Sequence, residues 1–484
     1  MDLAKKGNLI PVYGEMMADF ETPLSCYSKI DEGEYSFLLE SVEGGERIAR
    51  YSFLGSNPSL VISAKGNSIT LREGKSEKTY TAKDPIEELR KVLSKYKFVK
   101  VKGLPRFCGG LVGFFGYDIV RFIEDIPDKN PDDLKITDSA FMLTDTILIF
   151  DHVDHKIKVV SNVHVKDDAA KSYDEAISRI DKLITKLKEP PSKDRSPISI
   201  NPNAKPLAFT SNFKKEEFED AVLKAKSYIR KGDIIQVVLS QRLETPIEAH
   251  PFQIYRALRS VNPSPYMYYL KLGGFNLVGS SPEIMVRCED KVVELRPIAG
   301  TRPRGSTDEE DARLEKELLA DPKERAEHIM LVDLGRNDVG RVCDYNTVKV
   351  SELMMIEKYS HVMHIVSDVS GRLKEGKDIF DVVRATFPAG TVTGAPKVRA
   401  MEIIDELENR RRSSYAGSVG YFSFSENIDF CITIRTVLVK DKKAYIQAGA
   451  GIVSDSDPER EYQETMNKAK ALIKALEIAQ RGME

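Results

Sequence analysis

The sequence predicts an α+β fold in two lobes, with large antiparallel sheets in the core and helices packed outside. Strand-like segments come in clusters joined by tight turns, the pattern of antiparallel hairpins. Helical segments stand apart from these clusters instead of alternating with them, which argues against a parallel doubly wound sheet. The 484 residues suffice for roughly two to four domains, or for one large two-lobed body.

Along the chain, Ile147–Phe150 and Lys156–Val160 flank the polar turn DHVDH as a hairpin, and Ala169–Leu187 has helical spacing. Glu189–Pro206, EPPSKDRSPISINPNAKP, is rich in Pro, Ser and Asn and has no apolar periodicity. It reads as an exposed linker between an N-terminal domain, 1–188, and a second domain, 207–484. Phe218, Val222, Ala225 and Ile229 then repeat at helical spacing until Gly232–Asp233 stops them. A strand follows at Ile234–Gln241. Hairpins come next: Tyr266–Leu272 with Phe275–Gly279, and Glu283–Arg287 with Val292–Ile298. The charged helical stretch Asp308–Arg341 is broken at Asp321–Pro322. Ala416–Phe424, Asp429–Val439 and Ala444–Ile452 read as strands, and Pro458–Ile478 as a last helix.

Composition excludes several classes of function. Lys and Arg number 72 against 75 Asp and Glu, a net charge of −3, which gives no electrostatic footing for nucleic acid or a membrane surface. No apolar run approaches the ~18 residues of a membrane span. Met1–Phe20 lacks the layout of a secretory signal. The five cysteines (Cys26, Cys108, Cys288, Cys343, Cys431) are scattered without a CxxC pair. That fits a reducing, cytoplasmic setting and excludes a thiolate zinc cage. There is no Trp, and composition alone gives no reason for it.

Several residues could carry chemistry. Glu324 and Glu327, and again Glu461 and Glu464, stand three apart on expected helices, so each pair shares a face. Four carboxylates from two helices could bind Mg2+, a hard ion that takes oxygen ligands; a solvated helix face is the plainer alternative for either pair. Glycines in Pro297–Thr301 and Gln447–Gly451 would let backbone N–H groups approach an anion, or would mark a bulge. Gly109–Gly116, GGLVGFFG, is not GxGxxG, and its apolar spacers read as buried structure, so no dinucleotide site is expected. His152 and His155 fall in a polar turn and read as neutral, solvent-facing residues. His364 lies in an alternating strand, as a sheet-face residue or as a cleft imidazole for proton transfer. Arg435 interrupts an apolar strand and needs an internal carboxylate or an anionic ligand. Lys397 and Arg399, after Gly394 and Pro396 at a helix start, suit an anion.

Taken in order, the segments LLES (Leu38–Ser41), GGLVGFFGYD (Gly109–Asp118), QVVLSQR (Gln236–Arg242), NPSPYMYYL (Asn262–Leu270), GSSPE (Gly279–Glu283) and PIAGTRPRG (Pro297–Gly305) form a specific set. EHIMLVDLGRND (Glu327–Asp338), YSHVMH (Tyr359–His364), GTVTGAPKVRAMEII (Gly390–Ile404), YAGSVGYF (Tyr415–Phe422) and QAGAGIVSDSDPEREYQET (Gln447–Thr465) complete it. Over nearly its whole length the chain resembles the chorismate-utilising enzymes, most closely their anthranilate-forming branch. The resemblance implies ammonia addition at C2 of chorismate with loss of the C4 hydroxyl, then elimination of pyruvate to give anthranilate, the entry to tryptophan synthesis. It implies Mg2+ held chiefly by Glu327 and Glu464, with Glu324 and Glu461 in support. It makes Glu283 the general acid for the departing hydroxyl, ties His364 to pyruvate elimination, and places Thr391 with them as catalytic. Gly300, Thr301, Tyr415, Arg435, Gly449, Ala450 and Gly451 fall where the family cradles chorismate.

Two positions separate the branches. Relatives that use water at C2 resemble one another in a Lys where this chain has Gln236, and relatives that aminate C4 have a Lys where it has Ala299. Lacking both, the chain matches ammonia attack at C2; C4 amination is the runner-up, and a non-enzymatic tryptophan sensor on the same fold is the alternative of another class. LLES and NPSPYM resemble the family's feedback pocket for L-tryptophan, with Ser41, Pro265, Tyr266 and Met267 as contacts. The missing Trp fits an enzyme needed when tryptophan is scarce. No cysteine sits in a GxCxGxQ setting, so the resemblance implies a separate glutamine amidotransferase subunit supplying ammonia, in a heterotetramer of two of each subunit.

Overall fold

The computed structural model describes residues 2–41, 50–165, 168–190, 206–359 and 362–482. Most of the expected linker, 191–205, lies outside the described residues, as do Ser360 and His361 of the YSHVMH motif. Two antiparallel sheets of 12 strands each form the body. Each draws strands from both sides of the 189–206 segment. In the first sheet Tyr35–Glu40 pairs with Tyr266–Leu272; in the second Gly110–Phe115 pairs with Ser418–Ser423.

Burial explains the layering. A middle cluster takes Phe37, Tyr268 and Leu277 from the first sheet and Val112, Phe114 and Val419 from the second. The outer face of the first sheet packs with Leu472, Leu476 and Ile254 of helices Pro458–Arg481 and Pro251–Val261. The outer face of the second packs with Ile86, Phe380 and Val383 of helices Pro85–Leu93 and Ile379–Thr386. Helices thus shield the two sheets from outside, as α+β patterning requires.

The helix break falls where it was expected. Helix Asp308–Ala320 ends at Asp321, whose Oδ1 then accepts the N–H groups of Lys323 (3.0 Å) and Glu324 (3.3 Å) to start helix Pro322–Gly340. Asp457 caps Pro458–Arg481 in the same way, accepting from Arg460 N at 3.0 Å. Proline at the first helical position loses no hydrogen bond there. Both helices therefore begin beside their Glu-x-x-Glu pairs, where the helix dipole favours negative charge.

Two expected strands divide. Val292–Ile298 becomes Val292–Leu295 and Ile298–Pro303, because Pro297 has no N–H to give a ladder. Asp429–Val439 becomes Ile428–Ile432 in the second sheet and Thr436–Lys440 in the first. The chain crosses between sheets at Arg435, which takes φ +49°. Arg435 is therefore no strand residue. The GGLVGFFG segment is a fully buried strand, Gly110–Phe115.

Candidate functional site

The crossing at Arg435 opens onto a cleft of about 580 Å³. Its walls carry Glu283, Gly300, Thr301, Thr391, Tyr415 and Arg435. Glu324, Glu327, Glu461 and Glu464 line it together, with Gly449 and Gly451 beside them. Strand Lys443–Ile452 turns Gly449 and Gly451 to the cleft and Ala450 to the opposite face, where Ala450 packs, fully buried, with Val237, Ala400 and Ile403. The structure thus places the Ala450 side chain outside the cleft. A Cβ at Gly449 would come within 2.7 Å of the Tyr415 hydroxyl, and one at Gly451 within 2.4 Å of Gln236 Nε2. The two glycines let those side chains lie against the strand.

The carboxylates crowd one another. Burial raises the Glu327 carboxyl, and the charges of Glu324 and Glu464 push it further. Burial likewise raises Glu461, with Glu464 adding to it. Glu327 Oε1 accepts from Gln236 Nε2 at 3.3 Å, while Gln236 Oε1 is buried without a hydrogen-bond partner. Among the described residues no three His, Cys, Asp or Glu side chains stand close enough to hold a metal ion together. The donor set nonetheless fits a hard cation: all oxygen, mutually repelling, and with an unused acceptor in Gln236. Mg2+ keeps several waters and needs only one or two carboxylates, so a closed cage is not required.

Glu283 is enclosed beside Thr391. Burial raises its carboxyl, against the downward pull of Thr391, Lys468 and Arg435. Thr391 Oγ1 is buried and makes no aligned hydrogen bond. Arg435 forms no ion pair among the described residues; its Nη1 donates to Lys468 O at 3.4 Å, and burial pulls its guanidinium down. Of the two partners the sequence left open for Arg435, no carboxylate stands at ion-pair distance among the described residues, although the charges of Glu283 and Glu464 reach it.

His364 stands behind Thr301 and is not part of the cleft lining. Its Nδ1 lies 2.9 Å from Gly300 O and 3.1 Å from Thr301 Oγ1. A carbonyl only accepts, so the proton sits on Nδ1 and Nε2 keeps the open lone pair. Burial lowers the imidazole pKa, favouring the neutral ring. Gly300 takes φ +68° to present that carbonyl, and a Cβ there would meet Glu324 Oε2 at 3.2 Å.

Two readings of the sequence are corrected, and one residue was missed. Lys397 and Arg399 hold no anion site: Lys397 pairs with Asp338 at 2.7 Å and Arg399 with Glu402 at 2.6 Å. His152 is half-buried and bonded to Ser52 Oγ at 2.8 Å, not solvent-facing. Lys468 went unread, although it stands four residues after Glu464 on the same helix face.

A second cavity of about 480 Å³ lies between the sheets, and Ser41, Pro265, Tyr266 and Met267 all line it. The first sheet also contributes Leu39 and Tyr268; the second contributes Arg287, Tyr421, Asp429 and Cys431. Tyr266 donates to Asp429 Oδ1 at 2.9 Å, and Arg287 Nε to Asp429 Oδ2 at 3.1 Å. Phe107 stacks on Tyr421 with ring centres 4.0 Å apart. The cavity therefore offers aromatic walls and a charged, hydrogen-bonded rim.

Comparison with known proteins sets this geometry in context. The family described as chorismate binding enzyme matches residues 34–474. The anthranilate synthase component 1 of Acetivibrio thermocellus is 53% identical over 99% of this chain and 97% of its own length. That of Aquifex aeolicus is 52% identical over 100% and 97%. The crystal structure of anthranilate synthase component I from Streptococcus pneumoniae superposes with a TM-score of 0.78 at 36% identity, covering 95% of this chain and 99% of that one.

Proposed function

This chain belongs to the chorismate-binding enzyme family, and we propose that it joins ammonia to chorismate and releases anthranilate and pyruvate, as an anthranilate synthase component 1 acting in tryptophan synthesis. One observation carries the reading: the carboxylates Glu324, Glu327, Glu461 and Glu464, the enclosed acid Glu283 and the unpaired cation Arg435 meet in a single cleft. That is the equipment for a small polyanion from which a hydroxyl must depart.

In the first half-reaction the nitrogen of ammonia bonds to C2 as the ring double bonds shift and the C4 hydroxyl leaves. Glu283, whose carboxyl burial raises above its ordinary value, gives the proton that makes this group water. Arg435 and Tyr415 bind the enolpyruvyl carboxylate, and Gly449 and Gly451 let the substrate approach the backbone. In the second half-reaction C2 loses its proton, the bond from the ring to the enolpyruvyl oxygen breaks, and the methylene carbon gains a proton, so that pyruvate leaves while the ring becomes aromatic; His364 Nε2, behind Thr301, would take the C2 proton through an intervening water. Mg2+, held by Glu327 and Glu464 with Glu324 and Glu461 in support, would neutralise the ring carboxylate when bound. Gln236, at the position where water-using relatives carry lysine, fits ammonia as the nucleophile.

The ammonia must come from elsewhere. All five cysteines are free and buried; burial pushes Cys26 and Cys108 up to about 12 and Cys288 to about 11. Such thiols are poor nucleophiles for glutamine hydrolysis. A glutamine amidotransferase subunit, component 2, fits this need, in a heterotetramer of two of each subunit. Free thiols suit a reducing cytoplasm, and among the described residues no helix is long and apolar enough to cross a membrane. Residues 207–484 would form the catalytic unit. Residues 1–188 would supply part of an L-tryptophan feedback site at the second cavity.

The test is product identity. Purified chain, chorismate, Mg2+ and an ammonium salt should yield anthranilate and pyruvate in equal amounts by chromatography with mass detection. A 4-amino product that retains the enolpyruvyl group would assign C4 amination instead. No turnover would move the fold to a tryptophan sensor.

A further inference from the structure

Helix Pro458–Arg481 presents Glu461, Glu464 and Lys468 to the cleft at helical spacing. Lys468 Nζ donates to Glu464 Oε1 at 2.7 Å and to Gly449 O at 2.9 Å. One ammonium thus ties the metal-type carboxylate cluster to the glycine strand on which the substrate would lie. Lys468 lines the same cleft as Glu327, Glu461 and Glu283. Among the described residues the other cation paired with the four metal-type carboxylates is Arg302, at 3.4 Å from Glu324. Arg302 is also tied to Glu317 and Asp321. Lys468 alone is held by Glu464 and one carbonyl.

We propose that Lys468 is the resident counter-cation of this site: it holds Glu464 until a divalent cation displaces it, so that metal binding and lysine release are one exchange. The proposal rests on the reading of Glu464 as a metal ligand. A dication bonded to Glu464 would stand at contact distance from the ammonium, and like charges so placed cannot share one carboxylate without cost. Lysine suits the exchange, because its head is a point charge on a flexible four-carbon stem. Rotation of that stem releases Glu464 while the bond to Gly449 O can persist. The freed N–H then faces the cleft, where an anionic substrate supplies the next acceptor. Metal and substrate anion thereby favour one another's binding, because the first ion to arrive frees the partner of the second.

Mn2+ titration of the full chain, followed by electron paramagnetic resonance of the free ion and by calorimetry, reads this exchange without turnover. Wild type, Lys468→Met and Lys468→Gln are compared in the absence of chorismate, each checked for native circular dichroism. Both variants should bind Mn2+ roughly two- to fivefold tighter than wild type, the size expected for removing one partly exposed unit charge at contact. Should one variant fail to fold, the other decides. Equal or weaker Mn2+ binding in a folded variant overturns the role of Lys468 and leaves the metal reading standing. No Mn2+ binding by any of the three proteins overturns both. In wild type a chorismate-site anion should tighten Mn2+ binding, and that coupling should shrink in Lys468→Met.

Discussion

Glu283 pays for its chemistry in stability. A carboxyl whose pKa is raised by folding holds its proton more tightly in the native state than in the unfolded chain. The native state is therefore favoured at low pH and loses that advantage as pH rises through the raised pKa. Above it, an ionised Glu283 sits in an enclosed site that disfavours its charge. Glu283→Gln removes the penalty and the proton donor together. We expect kcat to fall by about 10²–10⁴-fold while the Tm at pH 8 rises, measured by steady-state kinetics and thermal denaturation on the same preparation. A variant that is both inactive and less stable would mean that Glu283 is structural. Glu327→Gln should likewise abolish turnover while leaving tryptophan binding largely intact, and a variant of normal activity would remove Glu327 from the metal set. At this scale the sequence was legible where a motif fixes a position: Glu283 of GSSPE and Thr301 of PIAGT both line the cleft. It was not legible for Lys468, since a lysine four residues after a glutamate is the commonest of surface pairs. Nor did it disclose that Ala450 faces the core, because alternation along a strand has two phases and small residues mark neither.

At the scale of elements, the cleft floor hangs on one buried ion pair. Arg412 and Glu408 have side chains 1% and 4% exposed and stand 2.6 Å apart. Arg412 also donates to Val392 O and Val238 O, both at 2.7 Å, and Glu408 Oε1 accepts from Ser240 N at 2.9 Å. The pair thereby fastens strand Gln236–Pro246 to the turn that carries Thr391. Glu408→Ala leaves a guanidinium buried without its partner, and should cost about 3–5 kcal/mol in urea unfolding. The double variant Glu408→Leu with Arg412→Met should recover part of that loss but not all, because Ser240 N–H keeps no acceptor. Recovery to the wild-type midpoint would show that the pair serves neither position. Elements themselves were legible when a residue's own chemistry ends them. Pro322 stops one helix and starts the next whatever surrounds it. The break at Arg435 was hidden, because apolar residues continue on both sides of it and only a backbone angle changes.

Across the whole molecule, no local pattern gives the pairing of Tyr35–Glu40 with Tyr266–Leu272, since strands so distant in sequence meet only through the packed core between the sheets. That pairing is also what creates the second cavity, walled by both sheets. The cavity and the cleft share structural members. Arg287 of the cavity lies four residues beyond Glu283 of the cleft, and strand Ile428–Ile432 carries Asp429 into the cavity just before the chain reaches Arg435. Ile432 N bonds Glu283 O at 3.0 Å, closing the connection. A ligand wedged between the sheets can therefore shift Glu283 and Arg435 together, provided it binds the altered arrangement better than the active one. Ser41→Phe fills the cavity from the first sheet without touching the cleft. The concentration of L-tryptophan for half-inhibition should rise about tenfold or more, with kcat changed by no more than about twofold. Unchanged inhibition would remove Ser41 from the feedback site, and inhibition lost together with catalysis would mean that the sheets must separate in every turnover, not only in the inhibited state.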